Sequence, residues 1–155
     1  MIQIYKPENT NFKANGDMPL LPEKALVHAT LNGAWSLELQ HPIDGEGRWK
    51  YITEEAVVKV PSFNGEQLFR IKRKEKTETG VTAYAEPIFM DTKEDCFLQD
   101  IRPTDKTGQE ALDLMLAPNG KYSAKSDITA RNTAYYEYKN FIEALNGNDD
   151  NSFIN

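Results

Sequence analysis

Residues Ala25–Pro42 read ALVHATLNGAWSLELQHP, two β-rich runs divided by Asn32-Gly33. An Asn-Gly pair between such runs signals a tight hairpin, because both central residues of a type I′ turn need positive φ. A two-residue turn sets Leu31 opposite Ala34 and Thr30 opposite Trp35. The side-chain period of two then places Leu26, His28, Thr30, Trp35, Leu37 and Leu39 on one face, the expected core side.

The flanking sequence extends the sheet. Met1–Lys6 alternates apolar and polar residues and stops at Pro7, as a short strand does. Residues 7–24, with Asn15-Gly16, Pro19 and Pro22, read as a loop that tucks Phe12, Leu20 and Leu21 against the core. HPIDGEGRW is a second loop. AVVKVPSFNG reads as a strand closed by Pro61 and the turn Asn64-Gly65, and Leu68–Lys76 and Gly80–Phe89 as an antiparallel pair joined by the polar link KTETG. Phe97 and Leu98 close a short strand before Pro103.

After residue 100 the pattern changes. TGQEALDLMLAPNG carries a capping box, Thr107 with Glu110, followed by helix formers and a Pro-Asn-Gly stop. NFIEALNG predicts a second helix with Asn140 as N-cap and Gly147 as C-cap, and Thr- and Tyr-rich Ile128–Tyr138 predicts a strand between them. Leu112, Met115 and Leu116 are expected to face the β domain. The fold class is α+β, mainly β, organised as a β-rich domain over 1–100 with a helix-containing segment over 101–155 packed on it. The closing NDDNSFIN turns polar and then apolar with no stop signal, as if cut inside an element.

Charge and composition narrow the chemistry. The 155 residues hold 24 acidic and 18 basic side chains, a net charge of -6, which argues against a surface built throughout to neutralise phosphate. A single cysteine, Cys96, excludes an internal disulfide, and with two separated histidines it leaves no zinc constellation. No segment has the length and apolarity to span a bilayer. No metal or cofactor is expected.

GEQLFRIKRKEK, Gly65–Lys76, nevertheless packs five basic residues into the seven positions from Arg70 to Lys76. Alternation sends Arg70, Lys72, Lys74 and Lys76 to one face and Phe69, Ile71 and Arg73 to the other. A solvated or protein-contacting strand face accounts for that spacing better than a phosphate grip, since Glu66, Glu75 and Glu78 intervene and no aromatic alternates with the cations. Arg70, Lys72 and Lys74 are therefore candidate interface residues, with no stable nucleic-acid binding expected.

Catalytic motifs are missing. Neither His28 nor His41 lies in a nucleophile motif. Asp44 and Glu46 in IDGEG fall short of a calcium loop and read as a turn. Asp91, Glu94 and Asp95 in MDTKEDC could do acid–base work but read more simply as a loop, and Tyr135, Tyr136 and Tyr138 read as a half-buried strand before a sugar-binding face.

The order LNGAWSLELQHP, a tryptophan, VVKVPSFNGEQLFRI, GVTAYAEPIFMD, RPTDKTGQEALDLML, SDI and NFIEALNGNDDNSFIN resembles the N-terminal region of siphophage and prophage tail proteins of Gram-positive hosts, the tail-associated lysin, minor structural protein or prophage endopeptidase tail family. The resemblance runs over essentially the whole chain. It implies a fold similar to the baseplate hub of contractile tails, an antiparallel β-barrel-like hub domain with a small helical portion, forming a trimeric ring below the tail tube. It also implies the distal tail protein and tape measure protein as partners, no membrane partner, and a place at the virion tail tip after synthesis in the host cytoplasm. Members of that family continue past the position of Asn155, so the end of this chain is expected to be a boundary within a longer protein. No catalytic motif of the endopeptidase activity matches a position here, so the chain itself is expected to be a structural module. A cell-wall peptidase or hydrolase is the alternative, which a pocket holding Asp91, Glu94 and Asp95 beside a histidine would favour.

Overall fold

The computed structural model describes residues 1–30, 33–63 and 65–146. Asn32, Asn64, the C-cap Gly147 and the closing NSFIN lie outside the described residues. The chain is mainly β with a few short helices and divides into two compact units, Met1–Ile88 and Phe89–Asn155.

Seven strands form the first unit: β1 (Ile2–Tyr5), β2 (Met18–Leu20), β3 (Lys24–Ala29), β4 (Trp35–Pro42), β5 (Val57–Ser62), β6 (Gly65–Lys76) and β7 (Gly80–Pro87). They make one antiparallel sheet in the order β2-β1-β5-β6-β7-β4-β3, curled into a half-barrel. Its concave face carries the core, with Leu37, Leu39, Val58, Phe69, Ile71 and Ala83 fully buried. A 3₁₀ turn, Arg48–Tyr51, packs Trp49 and Tyr51 against that core. On the convex face Tyr5 is also buried; its ring meets Phe12 edge-on at 5.2 Å, and its hydroxyl donates to the Ala14 carbonyl at 2.9 Å. Phe12 of the long loop therefore covers the outer side.

The two edge strands of this sheet, β2 and β3, are consecutive in the chain. Only Leu21, Pro22 and Glu23 separate them, so Leu20 and Lys24 lie at most about 14 Å apart. The link is fixed to β4: the Glu23 N–H donates to the Gln40 carbonyl at 2.8 Å and the Leu21 N–H to His41 Nε2 at 3.2 Å. His41 Nδ1 lies 2.8 Å from the Pro42 carbonyl. The ring is 1% exposed, and its neutral Nδ1–H tautomer satisfies both contacts at once. The loop reading of 7–24 missed β2. Pro19 sits at mid-strand, and an edge strand tolerates its missing donor.

The β3–β4 hairpin forms, but in a different register from the one predicted. Ala29 faces Trp35, Val27 faces Leu37 and Ala25 faces Leu39. The Thr30 N–H donates to the Ala34 carbonyl at 3.1 Å and the Gly33 N–H to the Thr30 carbonyl at 3.0 Å, so Thr30 bonds to Ala34 where the prediction set it opposite Trp35. Gly33 is not among the glycines with positive φ, which are Gly47, Gly65 and Gly120. The slip of one residue turns Leu26 and His28 outward. It sets Val27 opposite Leu37, where Val27 packs against the core.

In the second unit α1 (Thr92–Asp95), β8 (Phe97–Ile101), α2 (Gly108–Leu116), β9 (Tyr136–Asn140) and α3 (Phe141–Asn146) follow in order, and β8 and β9 pair antiparallel. The capping box is present: Thr107 Oγ1 accepts from the Glu110 N–H at 3.3 Å, and Glu110 Oε2 accepts from the Thr107 N–H at 2.8 Å. That backbone bond is the main cause holding the Glu110 carboxyl below its usual range. Asn140 and Glu143 make the same reciprocal exchange at α3. Met115 and Leu116, expected to face the β domain, pack with Leu98, Tyr136 and Ala144 in a core of this unit's own. Only Tyr136–Asn140 of the tyrosine-rich stretch is a strand. The residues before it bond to a loop instead, through the Lys106–Asn132 bridge and the Ala134 N–H to the Pro103 carbonyl.

His41→Ala removes the acceptor of the Leu21 N–H and opens a cavity in the core. A loss of about 2–4 kcal/mol in urea unfolding is expected, and an unchanged midpoint would show that the link does not depend on the ring.

Candidate functional site

The predicted interface residues lie on β6, and β6 does not alternate throughout. Up to Ile71 the reading holds: Phe69 and Ile71 are fully buried inside and Arg70 points out. Between Ile71 and Arg73 the register against β7 shifts by one, with Ile71 opposite Ala85 but Arg73 opposite Tyr84. Lys72 is the extra residue of a β-bulge. Beyond it Lys74 faces Ala83 and Lys76 faces Val81, both buried on the concave side, while Arg73 and Glu75 turn outward. Arg73 accordingly stacks over the outward Tyr84 ring at 4.4 Å.

The three candidates therefore separate into two environments. Arg70 and Lys72 both reach the Glu55 carboxylate, at 3.8 and 3.6 Å, and Arg70 Nη1 donates to the Glu55 carbonyl at 2.9 Å. The Glu55 N–H bonds to the Ile71 carbonyl at 2.8 Å, immediately before the bulge. Lys74 points the other way and meets the Ile52 carbonyl at 3.5 Å. On that side Lys76 Nζ stands 4.3 Å from the centre of the Trp49 ring and Lys50 Nζ 5.9 Å from it. Trp49 and Lys50 were not singled out from sequence, and Lys76 was placed with Lys74 on the same face as Arg70. It takes the bulge to turn that pair of lysines towards Trp49.

The residues weighed for catalysis are scattered. Both histidines belong to the first unit and Asp91, Glu94 and Asp95 to the second. Asp95 accepts from the Tyr122 hydroxyl at 2.6 Å and pairs with Lys121 at 2.5 Å. The hollow beside it, about 200 Å³, is lined by Asp95, Cys96, Phe97, Met115, Pro118 and Asn119. The Cys96 thiol is buried, which pushes its pKa up, the opposite of an activated nucleophile. His28 sits opposite Ser36 on the convex face, yet no hydrogen bond joins them among the described residues. Asp44 and Glu46 form the turn: Asp44 accepts from the Arg48 N–H at 2.9 Å, and both carboxylates pair with the Arg48 guanidinium. Among the described residues no group of His, Cys, Asp and Glu has the arrangement to hold a metal ion.

No protein-family model matches this chain, and no curated protein does. The surface itself therefore carries the functional reading, and it exposes several large apolar side chains. Phe63 is 69% exposed and lies 5.1 Å from Trp35; Phe97 and Tyr138, 59% and 66% exposed, lie 6.4 Å apart on the two-stranded sheet. Of the tyrosine group, Tyr136 is fully buried and Tyr135 packs against Arg102 at 4.5 Å. Strand β3 is exposed at every position except Val27.

Two outcomes follow. Glu55 has φ 65°, a region that costs a side chain about 1 kcal/mol relative to glycine. Since Glu55→Gly and Glu55→Ala lose the same ion pairs, the glycine variant should be the more stable by about 1 kcal/mol in urea unfolding; equal midpoints would refute the left-handed geometry. Burial first, and then the bond to Asp95, push the Tyr122 phenol up to about 12. The folded state thus holds this proton more tightly than the unfolded chain, where a tyrosine titrates near 10. The contribution is full below about pH 10 and is lost as pH rises towards 12. Ultraviolet titration should show a tyrosine titrating towards 12 that is lost in Tyr122→Phe, and persistence of that step in the variant would reassign it.

Proposed function

We propose that this chain is a structural module of a phage or prophage tail tip, forming the hub ring under the tail tube and joining the distal tail protein to downstream lysin or receptor-binding domains. The observation that carries the reading is the edge of the half-barrel. Strand β3, KALVHA, is an edge strand with no strand partner on its outer side among the described residues, guarded by a single lysine, with Leu26 41% exposed. Such an edge is a template for adding a strand from another chain. The exposed aromatic pairs supply apolar area of the sort that assembling surfaces bury. The mainly β architecture with helices late in the chain agrees with the fold that the tail-protein resemblance implies. The reading needs no catalytic group. It concerns contacts between protein surfaces, and a ring requires the contact to close on itself.

Light scattering on the purified chain over a wide concentration range tests it. The expected particle has three times the 17.6 kDa of the chain, and Leu26→Lys, which places a charge on the exposed edge, should dissociate it to monomers. A monomer at every concentration, or a trimer indifferent to Leu26→Lys, would overturn the edge-mediated ring. Cell-wall hydrolysis by the same preparation would favour the peptidase alternative.

A further inference from the structure

The bulge at Lys72 assembles a second surface that assembly of the ring does not require. Lys74 and Lys76, two apart on one strand, project on the concave side about 7 Å apart along β6, next to Lys50 on the 3₁₀ turn. None of the three is ion-paired with a carboxylate among the described residues, whereas Lys24, Lys59, Lys106 and Lys121 all are. Their contacts are instead the Trp49 ring, approached by Lys76 and Lys50, and the Ile52 carbonyl, approached by Lys74. A hollow of about 570 Å³ opens beside them, lined by Ile43, Lys76, Thr77 and Glu78.

We infer that Lys50 and Lys76, held against Trp49, and Lys74, held at the Ile52 carbonyl, dock an extended acidic segment of a partner protein at this end of the half-barrel. Charge complementarity favours an anion: three ammonium groups on this side have no ion-pair partner among the described residues, although Glu78 lines the adjoining hollow, in a chain of net charge -6. The cation–π contacts keep two of them in place before a partner arrives, which lowers the entropy lost on binding. The spacing selects a strand-like occupant, since carboxylates at alternate positions of an extended segment recur at the same interval of about 7 Å as Lys74 and Lys76. Ile43 offers an apolar wall for a side chain between them. Nucleic acid is disfavoured by the ring itself. Lys76 stands over the Trp49 indole, the surface on which a base would have to stack. This surface is independent of the β3 edge, so it holds whether or not the ring forms.

The test uses the full chain carrying Trp35→Phe, so that Trp49 is the only tryptophan and its emission reports on the site. Hexaglutamate should change that emission saturably at about 0.05 M salt and bind several-fold more weakly at about 0.3 M, while hexaglutamine should have no effect. Calorimetry on the Lys50→Gln, Lys76→Gln double variant, with folding checked by circular dichroism, should show hexaglutamate affinity reduced about tenfold or more. Absence of saturable binding, equal affinity in the double variant, or single-stranded DNA binding as tightly as hexaglutamate would each overturn the proposal. Because oligomeric mass is measured separately with Leu26→Lys, failure here and failure of the ring remain distinct.

Discussion

Leu21 gives its backbone N–H to the imidazole of a buried histidine, and the shape of the first unit depends on that bond. A curled seven-stranded sheet has two edges, and here three residues carry the chain from one to the other. Pro22 cannot donate, so the link has few hydrogen bonds with which to fasten itself. His41 reaches from β4 with Nε2 to hold Leu21, while its Nδ1–H is anchored on Pro42. A carboxylate there would meet the N–H at the expense of burying a charge, and an apolar side chain would leave it unpaired. A neutral imidazole does neither. Loss of the anchor would free the link from β4 and leave the Leu21 N–H unpaired beside the core.

Much of this architecture is written in local chemistry. Strand content, the hairpin, the antiparallel β6–β7 pair and both capped helices follow from alternation, turn residues and the Thr107–Glu110 spacing, because each signal acts within a few residues of its own structure. What escaped depends on partners distant in sequence. The hairpin register, which sets Val27 opposite Leu37 and packs it against the core, departs from the one that a two-residue Asn-Gly turn would give. Strand β2 was hidden by two prolines whose lack of a donor is harmless at an edge. Met115 and Leu116 announced an apolar helix face, but nothing in their spacing said which surface they would meet.

The candidate interface was legible only in part. The run from Arg70 to Lys76 stood out by charge, and the sequence placed Arg70 correctly on the outside of β6. Lys72 broke the pattern. A bulge has no dependable residue signature when the extra position is not glycine, so alternation carried past it assigned Lys74 and Lys76 to the wrong side. The cluster with Trp49 and Lys50 became visible only through the strand pairing. His28 and the carboxylates of MDTKEDC lacked any motif in the sequence, and in the fold Asp95 is engaged by Lys121 and Tyr122.

A bulge is a change of reading frame for side chains, and in β6 it divides one strand into two surfaces with different chemistry. Before Lys72 the inward positions are hydrocarbon and seal the half-barrel; after it they are ammonium groups that leave its end wet. The length of the strand, and not only its composition, therefore sets where the dry interior stops. An insertion or deletion of one residue between Ile71 and Arg73 would exchange Arg73 and Glu75 for Lys74 and Lys76 at that end, reversing part of its charge while leaving every neighbouring residue type unchanged. The side chains that the half-barrel offers at its end thus depend on the register of β6 as well as on which residues the strand holds.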